Sequence, residues 1–214
     1  MKLTVLGSGS CIISQERTSS GYILESNDSV LMIDTGTGTA DMLRQTGQRV
    51  DKIDAIVNTH RHPDHISDLV PIVQDKIVRS FELEEPDITL LGPKGHKEYL
   101  ESRVFHEMME DINEFEDLFG FQVSIFEFDE VSQVGGIKVQ SYDAEHGPEG
   151  FKCASLRFEA EKTVFFTGDT DYFEGLVDNA QSADLIVADC SKPDNDKVEG
   201  HMTPSECAKL AKKA

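Results

Sequence analysis

The sequence predicts a layered α/β fold, and three observations support this prediction. Ten short apolar runs rich in β-branched residues alternate with segments of helical spacing. Hydrophobic residues make up 38% of the 214 residues in evenly spread blocks, which is typical of a packed globular chain. Strand-rich pieces precede and follow a helical middle, as in layered folds. At this length we expect a single domain over residues 1–214.

The individual elements follow from these patterns. Strands are predicted at residues 2–7, 21–26, 29–34, 54–59, 88–92, 121–128, 136–142, 152–159, 162–168 and 184–189. Helices are predicted near residues 39–46, 65–78, 94–118, 173–180 and 203–213. The last helix has a clear start signal, because Thr203 can cap it, Pro204 suits its first turn and Glu206 can reach back.

Charge and composition limit the partners. The formal net charge is −20, and the only dense basic group is Lys209, Lys212 and Lys213. Because non-specific nucleic-acid binding depends on clustered cations, long nucleic acids are not expected as partners. No apolar window reaches the roughly 18 to 20 residues that cross a bilayer, so no membrane association is expected. The opening "MKLTVLGSGS" has too short an apolar run for a signal peptide and instead indicates a first strand. The four cysteines lack CxxC spacing, which is typical of reduced thiols, so a cytoplasmic protein is predicted.

The stretch "NTHRHPDHISD", residues 58–68, carries the main chemical signal. It follows a buried strand by pattern, at the position where α/β folds place their ligand sites. In an extended segment His60 and His62 point to the same side, so both imidazoles can bind one ion. After the turn at Pro63, Asp64 and His65 face the same space from the start of the next helix. One strand end therefore predicts two adjacent cation sites.

This motif resembles the H-x-H-x-D-H motif of the metallo-β-lactamase superfamily. The resemblance implies a four-layer αββα sandwich with one or two metal ions at the strand ends. "LMIDTG" supplies Asp34, which would orient the metal-site loops; "AEHGPEG" supplies His146 as the third histidine of the first site; and "FFTGDTDY" supplies Asp169 as the bridging carboxylate. The implied metal ligands are His60, His62, Asp64, His65, His146 and Asp169.

Within the superfamily, the sequence is most similar to ribonuclease Z and its small phosphodiesterase relatives. The similarity rests on "LGSGS", "TSSGYIL", "LGPKG", the "GF" after His146, and "GHMTPSECAKLA". The last motif supplies His201, which matches a family histidine expected to protonate the leaving group. The implied catalytic residues are Asp64, as orienter or base, and His201.

Two departures from the family pattern bear on these expectations. In the relatives a further strand follows the last helix and carries the final histidine ligand of the second metal, and no counterpart follows His201 here. The fold could therefore lack its last strand, and the resemblance leaves open truncation or replacement of that ligand by His201 or water. The basic arm that holds transfer RNA is also missing, since residues 94–118 are acidic.

The sequence thus predicts a metal-dependent hydrolase of small phosphodiesters, in which a metal-bound hydroxide attacks an anionic substrate. Zn²⁺ is the expected ion, in one or two copies, and Mn²⁺ is plausible at the oxygen-richer second site. Three alternatives stay open: a carboxylic ester, thioester or lactone hydrolase, a transfer RNA 3′-end endonuclease, and a non-catalytic metal-binding protein. A homodimer is a further possibility.

Overall fold

The computed structural model describes residues 1–79, 87–109, 120–129 and 133–214. The strands of these parts are β1 (Lys2–Gly7), β2 (Gly21–Ser26), β3 (Ser29–Thr35), β4 (Ala55–Val57), β5 (Ile88–Gly92), β6 (Val123–Glu127), β7 (Gln133–Val134), β8 (Ile137–Asp143), β9 (Ala154–Glu159), β10 (Thr163–Phe166) and β11 (Leu185–Val187). The helices are α1 (Thr39–Thr46), α2 (Pro63–Ile66), α3 (Leu69–Arg79), α4 (His96–Tyr99), α5 (His106–Met108), α6 (Glu174–Ala180) and α7 (Pro204–Lys213). A π-helical segment, Leu100–Phe105, joins α4 to α5, and short 3₁₀ turns lie at Val50–Lys52 and Asp194–Asp196.

The described strands form two sheets. The first has the order β1-β2-β3-β4-β5-β6, antiparallel from β1 to β3 and parallel from β3 to β6. The second has the order β11-β10-β9-β8-β7 and is antiparallel except for the parallel pair of β10 and β11. Parallel neighbours align their carboxyl ends at one edge, which is where a ligand site is expected.

Three apolar cores define the layers. Leu31 and Val57 of the first sheet pack with Phe158 and Phe166 of the second, which makes the central core. The outer face of the first sheet packs against α1, α3 and the α4 region, and the outer face of the second sheet packs against α6 and α7. The predicted αββα sandwich is therefore confirmed. None of the helices in the described parts of the chain is long and apolar enough to span a membrane.

The predicted helix at 65–78 is wrong in one respect, because it is broken into α2 and α3. The backbone N–H of Asp68 bonds the Thr35 carbonyl instead of continuing the α2 hydrogen bonds. The Asp68 carboxylate also accepts hydrogen bonds from the backbone N–H groups of Gly38 and Ala40 at the start of α1. These contacts fix the short α2 beside the end of β3.

The other predicted elements differ mainly at their ends. The predicted helix at 94–118 is described from His96 to Met108, and its part at 110–118 lies outside the described residues. The predicted start of the last helix is confirmed, because Thr203 and Glu206 form a reciprocal capping box at α7.

Candidate metal centre

Strand ends bring the candidate ligands together. Asp34 lies at the end of β3, His60 follows β4, and Asp169 follows β10. His146 lies in the connection between β8 and β9, and His201 precedes α7. These side chains are far apart in sequence, and the parallel arrangement of the strand ends places them at one edge of the sandwich.

Two glycines allow the loops to approach closely. Gly36 packs against α2, where an added Cβ would lie 2.0 Å from the Asp64 carbonyl oxygen. Gly168 has a φ of +58°, and an added Cβ there would lie 2.6 Å from the Ala154 carbonyl oxygen. Because only glycine suits both conditions, Gly168 fixes the path of the backbone immediately before Asp169.

Three histidines form the first ligand group. The Nδ1 atom of His62 lies 3.1 Å from Nε2 of His60 and 3.0 Å from Nε2 of His146. The remaining nitrogens have partners, since Nδ1 of His60 is 3.0 Å from the Thr59 hydroxyl and Nδ1 of His146 donates to the Gly200 carbonyl at 3.0 Å. The Gly200 carbonyl can only accept, and the Thr59 hydroxyl donates its hydrogen to Asp34 and so accepts from His60, which leaves both Nε2 lone pairs facing His62.

A second group combines His65, Asp169 and His60, whose ligand atoms lie within 4.8 Å of one another. Nε2 of His65 is 3.3 Å from Oδ1 of Asp169, while Nδ1 of His65 is 2.6 Å from Oδ2 of Asp34. Asp34 is buried and also accepts a hydrogen bond from the Thr59 backbone N–H at 2.8 Å. Asp34 therefore holds the His65 ring with Nε2 directed at Asp169.

The side chains of the two groups differ in their pKa shifts. Burial, together with the neighbouring His65, lowers the pKa of His60 to about 2, so its imidazole is uncharged. Burial opposes a charge on His65, but the adjacent carboxylates of Asp34 and Asp169 raise its pKa well above the ordinary value. Burial also opposes the charge on Asp169, yet the hydrogen bond from His65 and the surrounding histidines lower its pKa. The centre thus combines the uncharged imidazole of His60, the positively charged ring of His65 and the ionised carboxylate of Asp169.

The two predicted catalytic residues lie at the same centre. Oδ2 of Asp64 is 3.8 Å from Nε2 of His65, although Asp64 belongs to none of the three compact ligand groups found among the described residues. His201 forms the third of these groups with His146 and Asp169. Its ring centroid is 4.8 Å from that of His146.

Asp189 was missed by sequence reasoning. It follows β11, its side chain is 2% exposed, and its Oδ2 lies 2.9 Å from Nδ1 of His201. The Thr167 hydroxyl accepts a hydrogen bond from the Asp189 backbone N–H at 2.8 Å, which fixes this segment. The hydrogen bond to Asp189 raises the pKa of His201. The only sequence signal was an aspartate at the end of the apolar run "DLIVAD".

Phe151 forms a wall of the three-histidine group. Its ring stacks on His62 with centroids 4.5 Å apart and an interplanar angle of 19°. It also makes edge contacts with His60 and His146 at 5.9 and 6.2 Å. The motif "GF" contains this residue, but no sequence pattern indicated the stacking.

These residues fit the metal ions that the fold implies. Imidazoles whose second nitrogens are hydrogen-bonded, together with the ionised carboxylate of Asp169, match the ligand chemistry of Zn²⁺ and similar ions, and an ion bound at His65 would replace the proton on its Nε2. His60, His62 and His146 would hold one ion. His65 and Asp169 would hold the other, with Asp169 close to both groups, since its Oδ2 is 4.0 Å from Nε2 of His60.

Known proteins resemble this chain in sequence and in fold. Residues 1–213 match the family described as "Anti-Pycsar protein Apyc1". The chain belongs to this Apyc1 family. Among curated relatives, the "Probable metallo-hydrolase YhfI" of Bacillus subtilis is 26% identical over 218 residues, covering 100% of this chain and 83% of YhfI. Ribonuclease Z of Ignicoccus hospitalis is 25% identical over 255 residues, covering 100% of this chain and 84% of the relative.

Solved structures show the same fold for this Apyc1 family member. The crystal structure of YhfI from Bacillus subtilis, a metallo-β-lactamase fold protein, matches with a TM-score of 0.79 at 23% identity, covering 99% of this chain and 80% of that chain. Human tRNase Z, short form, matches with a TM-score of 0.77 at 20% identity, covering 100% and 88%. The chain is therefore a metallo-hydrolase of the metallo-β-lactamase superfamily, related to its ribonuclease Z-like members, and hydrolases of this fold bind metal ions.

Proposed function

We propose that the chain hydrolyses small phosphodiesters, with Zn²⁺ as the default ion and Mn²⁺ as an alternative at the second position. The observation that carries the proposal is the convergence of a three-histidine group and a histidine–carboxylate group on Asp169. Two adjacent ligand groups that could each hold a metal ion suit displacement at phosphorus, because both the attacking and the leaving oxygen need charge stabilisation.

The relatives support this class of bond. Several curated relatives are named ribonuclease Z, and the RNA backbone is a phosphodiester. The Apyc1 family description states what such a protein opposes but not which bond it cleaves. The net charge of −20 disfavours a long polyanion, so a small diester is the better candidate.

Each side chain has a separate role in the proposed reaction. Metal ions held at the centre would lower the pKa of water and neutralise charge on the phosphoryl group. Asp64 would orient the attacking water and accept its proton. His201 would donate a proton from Nε2 to the leaving oxygen, because Asp189 binds its Nδ1 at 2.9 Å.

A substrate panel tests the proposal directly. Protein reconstituted with Zn²⁺ or Mn²⁺ is assayed on bis(p-nitrophenyl) phosphate, cyclic nucleotides, thioesters, lactones and a transfer RNA precursor. We expect turnover of at least one small diester to exceed turnover of the other classes. Higher activity on thioesters or lactones, or on transfer RNA, would refute the assignment, and bound metal without any turnover would support the non-catalytic alternative.

The Asp64→Ala variant tests the assigned chemistry. We expect a loss of roughly 10²- to 10⁴-fold in kcat, the usual contribution of acid–base catalysis, with the fold retained. Asp41→Ala is the matched control, because Asp41 is 71% exposed on α1 and its substitution removes the same charge. Equal activity of the two variants would contradict the role of Asp64.

A further inference from the structure

A cavity of about 500 Å³ opens beside the metal centre. Its lining includes Asp64, His65 and Asp169, so a molecule bound there would lie against one candidate catalytic residue and two candidate metal ligands. This volume falls within the range of about 300 to 1,000 Å³ that is typical of small-molecule sites.

Much of the remaining lining is polar and comes from the loop between β1 and β2. It contributes Ser8, Ser10, Ser14 and Arg17, and Ser191 adds a hydroxyl from the segment after β11. Hydroxyl groups can both donate and accept hydrogen bonds, so they suit the oxygen atoms of an ester or sugar group.

Among the described residues that line this cavity, Arg17 is the sole arginine or lysine. Its backbone is anchored, because Thr18, the next residue, accepts a hydrogen bond from Gly9 N–H at 2.7 Å and donates its hydroxyl hydrogen to Leu6 at 2.9 Å. Its side chain is exposed and makes no ion pair or side-chain hydrogen bond with any residue of the described ranges. Arg17 thus lines the cavity next to a backbone that is held at Thr18, and its guanidinium is not paired with any of the described residues.

The negative charge around the cavity makes Arg17 important for binding an anion. Metal ions would offset Asp64 and Asp169, but Glu16 and Asp189 also line the cavity, and the whole chain carries a formal charge of −20. An anion entering the cavity therefore needs a local positive partner. A guanidinium matches two phosphate oxygens in its planar fork, which an ammonium group cannot do.

We propose that Arg17 is a specificity-determining residue that binds the phosphate of a small diester in this cavity. The serine hydroxyls then contact the ester group that is retained. The inference rests on the proposed function, and it narrows the substrate to small diesters whose non-reacting part fits the space beside Arg17.

The test compares metal-loaded Arg17→Ala and Arg17→Lys with wild type on bis(p-nitrophenyl) phosphate and on the neutral ester p-nitrophenyl acetate. Arg44→Ala is the matched control, since Arg44 is exposed on α1 and lines a separate cavity. Inorganic phosphate binding to each metal-loaded protein is measured by calorimetry as a readout independent of turnover.

For Arg17→Ala we expect KM for the diester to rise about 10- to 100-fold with kcat nearly retained, as for a lost hydrogen bond to a charged group. Phosphate affinity should fall by a similar factor, Arg17→Lys should recover part of both, and the neutral ester should be unaffected. An Arg17→Ala protein that matches Arg44→Ala in diester KM and phosphate affinity would overturn the inference, as would an equal loss on the neutral ester. Failure of wild type to cleave any diester would refute the proposed function instead, and phosphate binding would still decide whether Arg17 binds anions.

Discussion

Replacing Asp34 should separate the support of the metal centre from the ligands themselves. Its carboxylate is 2% exposed and accepts hydrogen bonds from the Ser20 hydroxyl at 3.1 Å, the Thr59 backbone N–H at 2.8 Å and His65 Nδ1 at 2.6 Å. Asp34→Asn has nearly the same shape, and asparagine tolerates the left-handed backbone at a φ of +54°. The variant therefore removes the charge without adding backbone strain.

The size of the effect follows from these contacts. A hydrogen bond to a charged group contributes about 1.5 to 3 kcal/mol, and three such bonds in one network are not additive. We expect Asp34→Asn to lower the free energy of unfolding by about 2 to 4 kcal/mol. The asparagine NH₂ group would also face His65 Nδ1, which moves the imidazole proton to Nε2, the atom needed for metal binding.

The assay has two parts. Urea denaturation in the presence of a chelator measures the stability of the metal-free fold, so that metal binding does not add to it. Competition with a chromogenic chelator measures metal affinity, which should fall about 10- to 100-fold at the His65 position. A variant with wild-type stability and wild-type affinity would refute the role assigned to Asp34.

Three other substitutions test separate parts of the structure. Asp189→Asn should lower kcat roughly 10- to 100-fold with little change in the melting temperature, because His201 loses its charged partner at 2.9 Å. An Asp189→Asn protein with the kcat of wild type would contradict this role. Phe151→Ala should lower metal affinity at the three-histidine group about 2- to 10-fold because it removes the stacking on His62, and Phe151→Leu should lower this affinity less. Calorimetric titration with Zn²⁺ measures the affinity, and an unchanged value for Phe151→Ala would contradict the role of the ring. Burial lowers the pKa of the Lys76 amine in the folded chain below its ordinary 10.5, so between these two pKa values the unfolded chain binds more protons than the folded chain. The free energy of unfolding of wild type should therefore increase relative to that of Lys76→Met as the pH rises toward 10.5, and urea denaturation that shows the same pH dependence for both proteins would rule this out.

Much of the fold could be predicted because strand and helix patterns are local. The run "DAIVNT" indicated a buried strand followed by polar residues, and β4 does end at Val57 with Asn58 and Thr59 beyond it. Asn58 leaves the β4 pattern but still donates its backbone hydrogen bond to Leu91 at 2.8 Å. The density of histidines in the next residues was equally visible in one short stretch.

The features that were missed depend on contacts between distant segments. The break after α2 arises from the bond between Asp68 and Thr35, which no pattern within residues 65–78 indicates. Asp189 resembles any aspartate at a strand end until the fold brings it to His201. Arg17 lies in an exposed loop, and its chemical importance depends on a cavity that several segments build together.

The most direct test of the metal centre is an anomalous-scattering map from crystals of the protein grown with Zn²⁺. We predict one peak bounded by His60, His62 and His146 and a second beside His65 and Asp169. A map with zinc bound only at other residues, or with no peak among these five side chains, would contradict the account.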